Sequence, residues 1–327
     1  MLVKDFDYEL PKELIAQEPS QKRDESRLLV LARSTGEIQE GIFRDIINYL
    51  NKNEVLVLNQ TRVIPARIYG DINDRKVELL LIRRLSENIW EALARPARKL
   101  KPGTIVKFKS GEAKIVERKP TGIRIVEFIG VAPEELLRKE GEIALPPYIN
   151  NPSIDINRYQ TVYAQKNGSV AAPTAGLHFT EELLEKIKDK GVEILKITLH
   201  ASLGTFRPVK AEKVEEHKMY EEEFELPEDV AQKINEAKLE GRRVIAVGTT
   251  VVRTLEAQAK FKKGNVWQVV PEKGSTDLFI YPGYEFKIVD AMITNFHLPK
   301  STLLMLVCAF ASKEYIFRAY EYAIKNR

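Results

Sequence analysis

Residues 170–208 read VAAPTAGLHFTEELLEKIKDKGVEILKITLHASLGTFRP, and the change of period inside them decides the fold class. Pro173 and Gly176 punctuate a loop, and Thr180 stands where an N-cap would, with Glu181 and Glu182 in the first turn. Leu183, Leu184 and Ile187 then form an apolar stripe that Gly191 closes, so the spacing predicts a short helix. From Leu195 the period drops to two. Leu195, Ile197, Leu199, Ala201 and Leu203 face one way, and Lys196, Thr198, His200 and Ser202 the other. A helix running into a half-buried strand belongs to an α/β layer architecture. It sets a loop bearing Thr174, Gly176 and His178, and a strand bearing His200 and Ser202, on either side of one helix. Such residues can converge on a pocket; on spacing alone they equally fit a capped helix and strand with His178 as a hydrogen-bonded core residue.

Working outward, 28–31 and 55–58 are continuous apolar runs of the kind buried strands show, with Phe43, Ile46, Ile47 and Leu50 at helical spacing between them. Asn59-Gln60-Thr61-Arg62 follows the second run directly, and strand carboxyl ends are where open α/β sheets place ligands. From Ile68 to about Ile129 the pattern becomes short β runs at 77–82, 89–93, 105–108, 113–116 and 123–128, separated by turns such as Lys101-Pro102-Gly103. The sequence therefore predicts an α/β main domain with a mixed sheet, built from 1–61 and 152–327. A small all-β barrel-like domain, 62–151, interrupts it.

Past Pro208, a strand is expected near 222–226 and a helix lined by Val230, Ile234, Ala237 and Leu239. Residues 242–250 read as a strand, a glycine turn and a helix start at Thr249 and Thr250, whose N–H groups could hold an anion; Arg253 lies one turn further on. Residues 276–289 read as β-rich. Asn295 and His297 sit in a polar loop before a Ser-capped apolar helix that contains Cys308.

Composition narrows the class. Hydrophobic content of 44% and charged content of 30% allow a sizeable core and fit a globular chain. One cysteine rules out a disulfide framework and any cysteine-held iron–sulfur cluster. The longest apolar run, 303–311, is about half of what a membrane span needs, and the acidic, polar start does not resemble a signal peptide, so a cytoplasmic location is expected. Net charge is +4, but residues 62–124 hold 16 Lys/Arg against 7 Asp/Glu, a local +9 that leaves −5 for the rest. A basic module on an acidic body points to a polyanionic partner. Arg62, Arg67, Arg95, Arg98, Lys99 and Lys101 are its candidate contacts, and the stiff 95–101 loop suits phosphates better than bases.

The stretches AAPTAGLHFT (171–180) and HASLGTFRPV (200–209) closely resemble the S-adenosylmethionine:tRNA ribosyltransferase-isomerases of the queuosine pathway. The likeness continues through 23–31, 59–67, 145–149, 159–180, 248–256 and 294–310. It implies transfer and isomerisation of the ribosyl moiety of S-adenosylmethionine onto the aminomethyl group of 7-aminomethyl-7-deazaguanine. That base stands at the wobble position of tRNA with a GUN anticodon. Epoxyqueuosine, adenine and methionine are the implied products, with no metal and no cofactor beyond the co-substrate, and a monomer is expected. Two departures stand out. The family usually has Asp or Asn where this chain has Gln60, and its pattern runs past Arg327 into an aromatic stretch ending Gly-Asp-Ala-Met.

The implied chemistry needs a base near neutral pKa to remove a proton beside the sulfonium. Of the four histidines, His178 and His200 fit best, with His297 in reserve. Thr174, Ser202 and Asn295 could help adenine leave; Arg207 or Arg253 could hold the methionine carboxylate or steady developing negative charge. Gly176, Thr249 and Thr250 complete the expected substrate pocket. Two rivals are an adenosylmethionine-dependent RNA methyltransferase, for which no glycine-rich loop follows the first strand, and a non-catalytic RNA-binding protein.

Overall fold

Six strands form the mixed sheet at the centre of the larger of two units, Met1–Arg62, Pro147–Lys166 and Ala172–Arg327. The computed structural model describes residues 1–149, 155–201, 209 and 211–327, so Ser202 and Arg207 lie outside the described residues. Across the sheet the order is Glu272–Thr276, Glu222–Leu226, Glu193–Leu199, Val55–Asn59, Val244–Val247 and Ala291–Ile293. The last four run parallel, and Glu222–Leu226 is antiparallel to the strands on either side of it.

Every residue of Val55–Asn59 is buried, which is why the run lacks alternation: a central parallel strand is covered on both faces. Its side chains divide between two cores. Val55 and Val57 join Ile197, Ala246 and residues of the helices Glu228–Leu239 and Thr302–Ala311 on one face. Leu56 and Leu58 join Val247, Phe179, Leu183 and Ile187 on the other. The expected helix is Glu181–Asp189, capped by Thr180, whose hydroxyl accepts from the Leu183 N–H at 3.1 Å.

Two expectations differ from what is observed. The 28–31 run does not enter the main sheet: Arg27–Leu31 pairs only with Ile38–Ile42 as a half-exposed hairpin. Gly36, at φ 71°, turns that hairpin in a left-handed conformation that glycine adopts without strain. Nor is 276–289 β-rich beyond Thr276. Those residues form a loop held by the buried Glu256 carboxylate, which accepts from the Lys287, Ile288 and Val289 N–H groups at 2.9–3.0 Å and from the Tyr284 hydroxyl at 3.2 Å. A short-range pattern cannot show that these backbone donors are satisfied by a side chain from a distant helix.

The smaller unit, Val63–Pro146 with Asn167–Ala171, contains a closed barrel of six strands. Around it run Arg124–Ile129, Ile89–Arg95, Arg75–Arg84, Arg67–Ile72, Ile105–Lys107 and Glu112–Arg118. Alternating Val77, Leu79 and Leu81 fill the interior with Trp90, Val106, Ile115 and Phe128, and Leu136 and Leu137 of the helix Pro133–Glu140 pack onto it. Gly70 lets the barrel close: a side chain there would meet Val106 at 2.6 Å and the Lys107 carbonyl at 2.7 Å. Among the described residues no helix is long and apolar enough to cross a membrane.

The Asn59 amide ties the main sheet together at its carboxyl edge. Its Nδ2 donates to the Leu199 carbonyl at 2.9 Å and the Thr250 hydroxyl at 3.2 Å. Its Oδ1 accepts from the Thr61 and Leu199 N–H groups, both at 3.1 Å. Removing this amide would orphan buried groups on both sides, so Asn59→Ala is expected to lower unfolding free energy by about 2–4 kcal/mol. Urea denaturation of the variant against wild type measures it.

Candidate functional site at the carboxyl edge of the sheet

Because four adjacent strands run parallel, their carboxyl ends share one edge, and each delivers part of the expected site there. In sheet order the edge presents His200, then Asn59 to Thr61, then Gly248 to Thr250, then Thr294 and Asn295. Neighbouring strands are spaced about 4.8 Å apart, so the constellation extends over roughly 14 Å. The order of strands reverses about Val55–Asn59: the chain goes first to one flank and later to the other, which opens a crevice at that point.

His200 follows Glu193–Leu199 directly, and its Nδ1 lies 2.7 Å from the hydroxyl of Thr61, two residues beyond the end of the neighbouring strand Val55–Asn59. Burial lowers its pKa below the usual imidazole value; Glu225 opposes that shift and Lys273 assists it. In the tautomer whose Nδ1–H donates to the Thr61 hydroxyl, the Nε2 lone pair is left to accept a proton.

His178 ends the turn Thr174–His178, which packs beneath Gly248: a Cβ on Gly248 would stand 3.8 Å from that of Ala175. Both ring nitrogens are engaged. Nε2 lies 3.0 Å from Asn295 Oδ1 and Nδ1 lies 3.1 Å from the Ser26 hydroxyl. A carbonyl oxygen can only accept, so Nε2 carries the proton and Nδ1 accepts from Ser26. Burial holds this ring below its usual pKa, with the Asn295 bond acting against it, and Phe43 lies against it with centroids 5.1 Å apart. Arg23 fixes the turn from outside, donating to the Leu177 carbonyl at 3.1 Å.

Gly176 marks a second close approach. A Cβ there would come within 2.0 Å of the Tyr163 hydroxyl and 2.9 Å of the Thr161 methyl group. The Tyr163 and Thr161 hydroxyls are buried and have no hydrogen-bond partner among the described residues. Burial raises the Tyr163 pKa far above its usual value, so this phenol is a neutral donor at every physiological pH. Thr174 is half-buried in the same turn. Across the crevice, Gly248 at φ 89° starts the helix Thr249–Ala257; Thr249 and Thr250 are buried there, the latter bonded to Asn59.

Other expected residues stand elsewhere. The Arg253 guanidinium is buried, paired with Glu222 and donating to the Leu278 carbonyl at 3.0 Å. His297 is half-buried: its Nε2 lies 3.1 Å from the Thr294 hydroxyl, its carbonyl accepts from the Tyr8 hydroxyl at 2.6 Å, and desolvation lowers its pKa to about 4. Arg62 donates to the Ala164 carbonyl at 2.6 Å, and Arg67 pairs with Glu78 at 3.6 Å. Arg95, Arg98, Lys99 and Lys101 are exposed.

Residues 3–327 match the model of a family described as queuosine biosynthesis protein. The chain belongs to that family. It is 55% identical over 333 residues to the S-adenosylmethionine:tRNA ribosyltransferase-isomerase of Carboxydothermus hydrogenoformans, covering 100% of this chain and 96% of the relative. Its likeness to the enzyme of the same name from Halothermothrix orenii is 52% over 332 residues, with the same coverage. A crystal structure of the S-adenosylmethionine tRNA ribosyltransferase from Thermotoga maritima aligns with a TM-score of 0.54 and 42% identity, over 98% of this chain and 95% of that one.

Against this family background, the sequence reading marked Asn59 and Thr61 only as part of a ligand-placing strand end, with no role of their own, and missed Ser26, Thr161 and Tyr163 as site-building residues. Asn59 and Thr61 had a legible signal, their place at the end of a buried strand; Ser26 acts through a contact 152 residues away, and Thr161 and Tyr163 through close packing against Gly176 that periodicity does not report.

Two outcomes are expected. A histidine whose folded pKa is depressed takes up its proton more readily when unfolded, so stability falls as pH drops below the unfolded value. For His297 the loss runs from about pH 6.5 to about 4 and amounts to about 3 kcal/mol; urea unfolding at several pH values should show it, and His297→Gln should flatten it. Gly176→Ala should displace Tyr163 and lower both melting temperature and activity, whereas adding Tyr163→Phe should recover part of the melting temperature by removing the nearest clash.

Proposed function

We propose that this protein transfers and isomerises the ribosyl moiety of S-adenosylmethionine onto the aminomethyl group of 7-aminomethyl-7-deazaguanine. The acceptor base is at the wobble position of tRNA with a GUN anticodon, and the products are epoxyqueuosine, adenine and methionine. The observation that carries this reading is the family match over 3–327, joined by relatives of that activity along the whole chain. The residues at the carboxyl edge suit the chemistry, and a cytoplasmic setting fits a tRNA substrate.

The sulfonium acidifies the adjacent 5′ carbon, and a base that removes its proton leaves an ylide able to expel adenine. His200 is the base in this reading. Its Nε2 takes the proton while Nδ1–H, held by Thr61, fixes the tautomer and the ring plane. Burial keeps the imidazole neutral, hence basic, above its lowered pKa. Departing adenine needs a proton or a strong hydrogen bond. The His178 pair with Asn295 and the unpartnered Tyr163 and Thr161 hydroxyls supply donors beside Gly176. The first turn at Thr249 and Thr250 suits the methionine carboxylate, as a helix N-terminus favours an anion. Arg253, satisfied by Glu222, steadies that helix, leaving Arg207 as the guanidinium for charge that develops during reaction. Thr174 adds to the polar lining, and His297 supports the loop that carries Asn295 through its bond to Thr294.

The test is incubation of the protein with S-adenosylmethionine and tRNA bearing the precursor base, followed by chromatography of small molecules and nucleosides. Adenine and methionine in equal amounts with epoxyqueuosine are expected; S-adenosylhomocysteine instead would overturn the reading. His200→Gln should lower single-turnover rate at least about a hundredfold, the usual worth of a general base.

A further inference from the structure

In the barrel, Arg124 is 1% exposed, yet among the described residues no carboxylate pairs with it. Its guanidinium donates instead to three main-chain carbonyls: Nε to Leu100 at 2.6 Å, Nη2 to Ala97 at 2.6 Å and Nη1 to Gly122 at 2.5 Å. Two of these acceptors lie in the 95–101 loop, and Leu100 is itself fully buried in the barrel core. The loop is thereby fastened from beneath at two points. Arg95, Arg98, Lys99 and Lys101 remain exposed on it.

These four cations, set within seven residues of one another, pair with no carboxylate among the described residues, whereas five cations elsewhere in this unit do: Arg67 with Glu78, Arg83 and Lys119 with Glu91, Arg84 with Glu134, and Lys139 with Glu135. The buried Arg124 adds a fixed positive charge under the same loop, since a guanidinium stays protonated. Pro96, Ala97 and Leu100 offer no flat ring on which a base could stack. Concentrated, unpaired positive charge on a fixed backbone matches the phosphates of a nucleic-acid strand and reads none of its bases.

We infer that the 95–101 loop is a preformed docking surface for RNA backbone phosphates, and that Arg124 is the positioning residue that sets its shape. This deepens the tRNA-modifying activity proposed above and rests on it for the choice of RNA. A loop already ordered before binding avoids the entropy of ordering during binding, so losing Arg124 differs from losing the charges. Charge loss lowers affinity and its salt dependence together. Loss of Arg124 lowers affinity while the cations, and with them most of the salt dependence, persist.

The experiment is fluorescence anisotropy with an unmodified tRNA transcript over a series of KCl concentrations, using the full chain. Arg98→Ala with Lys99→Ala and Lys101→Ala changes only exposed side chains; it should weaken binding at least about tenfold and flatten the log–log salt slope by about two. Arg124→Met should weaken binding about fivefold with a slope near that of wild type, and Arg124→Lys should recover part of the loss. Wild-type affinity and slope in the triple variant would overturn the docking surface. Unchanged affinity in Arg124→Met, with the circular dichroism of wild type, would overturn the positioning role. Should Arg124→Met not fold, the triple variant still decides the surface. Adenine release by the wild type is scored separately: release with an inert loop sinks only this inference, and loop-dependent binding without release sinks only the activity.

Discussion

One buried amide sets the terms for the rest of the catalytic unit. The central strand of a parallel sheet is apolar along its length, but where it ends its last polar groups must be satisfied away from water. Asn59 meets that demand with its own side chain, bonding to both backbone groups of Leu199 on one flank and to Thr250 on the other. The geometry of the edge follows. His200 is the residue after Leu199, Thr61 is two after Asn59, and Thr250 lies in the first turn of a helix. The spacing of these three groups is therefore set by one side chain with no spare hydrogen-bonding capacity.

The same edge explains how imidazoles can be both buried and useful. Desolvation disfavours the charged form, so His178 and His200 rest neutral. For a base that is the required ground state. His178 is gripped at both nitrogens and suited to hold a position, while His200 is gripped at Nδ1 alone and suited to accept a proton at the other. His297, half-buried and bonded at Nε2 to Thr294 and at its backbone to Tyr8 and Tyr320, belongs to the supporting structure. Residue type alone could not rank the three; their hydrogen bonds do.

Much of the architecture was legible because periodicity reports burial. The run at 55–58, the helix after Thr180 and the even β spacing from 77 to 128 each gave the correct element, and their succession gave a mixed sheet and a separate barrel. The run at 28–31 misled because a hydrophobic segment of four residues looks the same in a central strand and in a hairpin packed against neighbours. Segment 276–289 misled because alternation there reflects packing around Glu256, not ladder pairing. For the site, the place of Thr249 just past a strand and a glycine turn could be anticipated, whereas His200 read as part of a strand that in fact stops at Leu199, and the short strand Ala291–Ile293 ahead of Asn295 gave no periodic signal. The bonds of Ser26 to His178 and of Arg253 to Glu222 could not, since they join residues that only the folded chain makes neighbours.

Glu256 has a consequence for how the pocket can adapt. It sits two turns along the helix that begins at Thr249, and it grips the backbone just ahead of the strand that leads to Asn295. The two walls of the crevice are thus harnessed to a common yoke. Any drift of one must therefore strain the Glu256 bonds or carry the other along, which ties the span between the helix start and the Asn295–His178 pair to a single carboxylate.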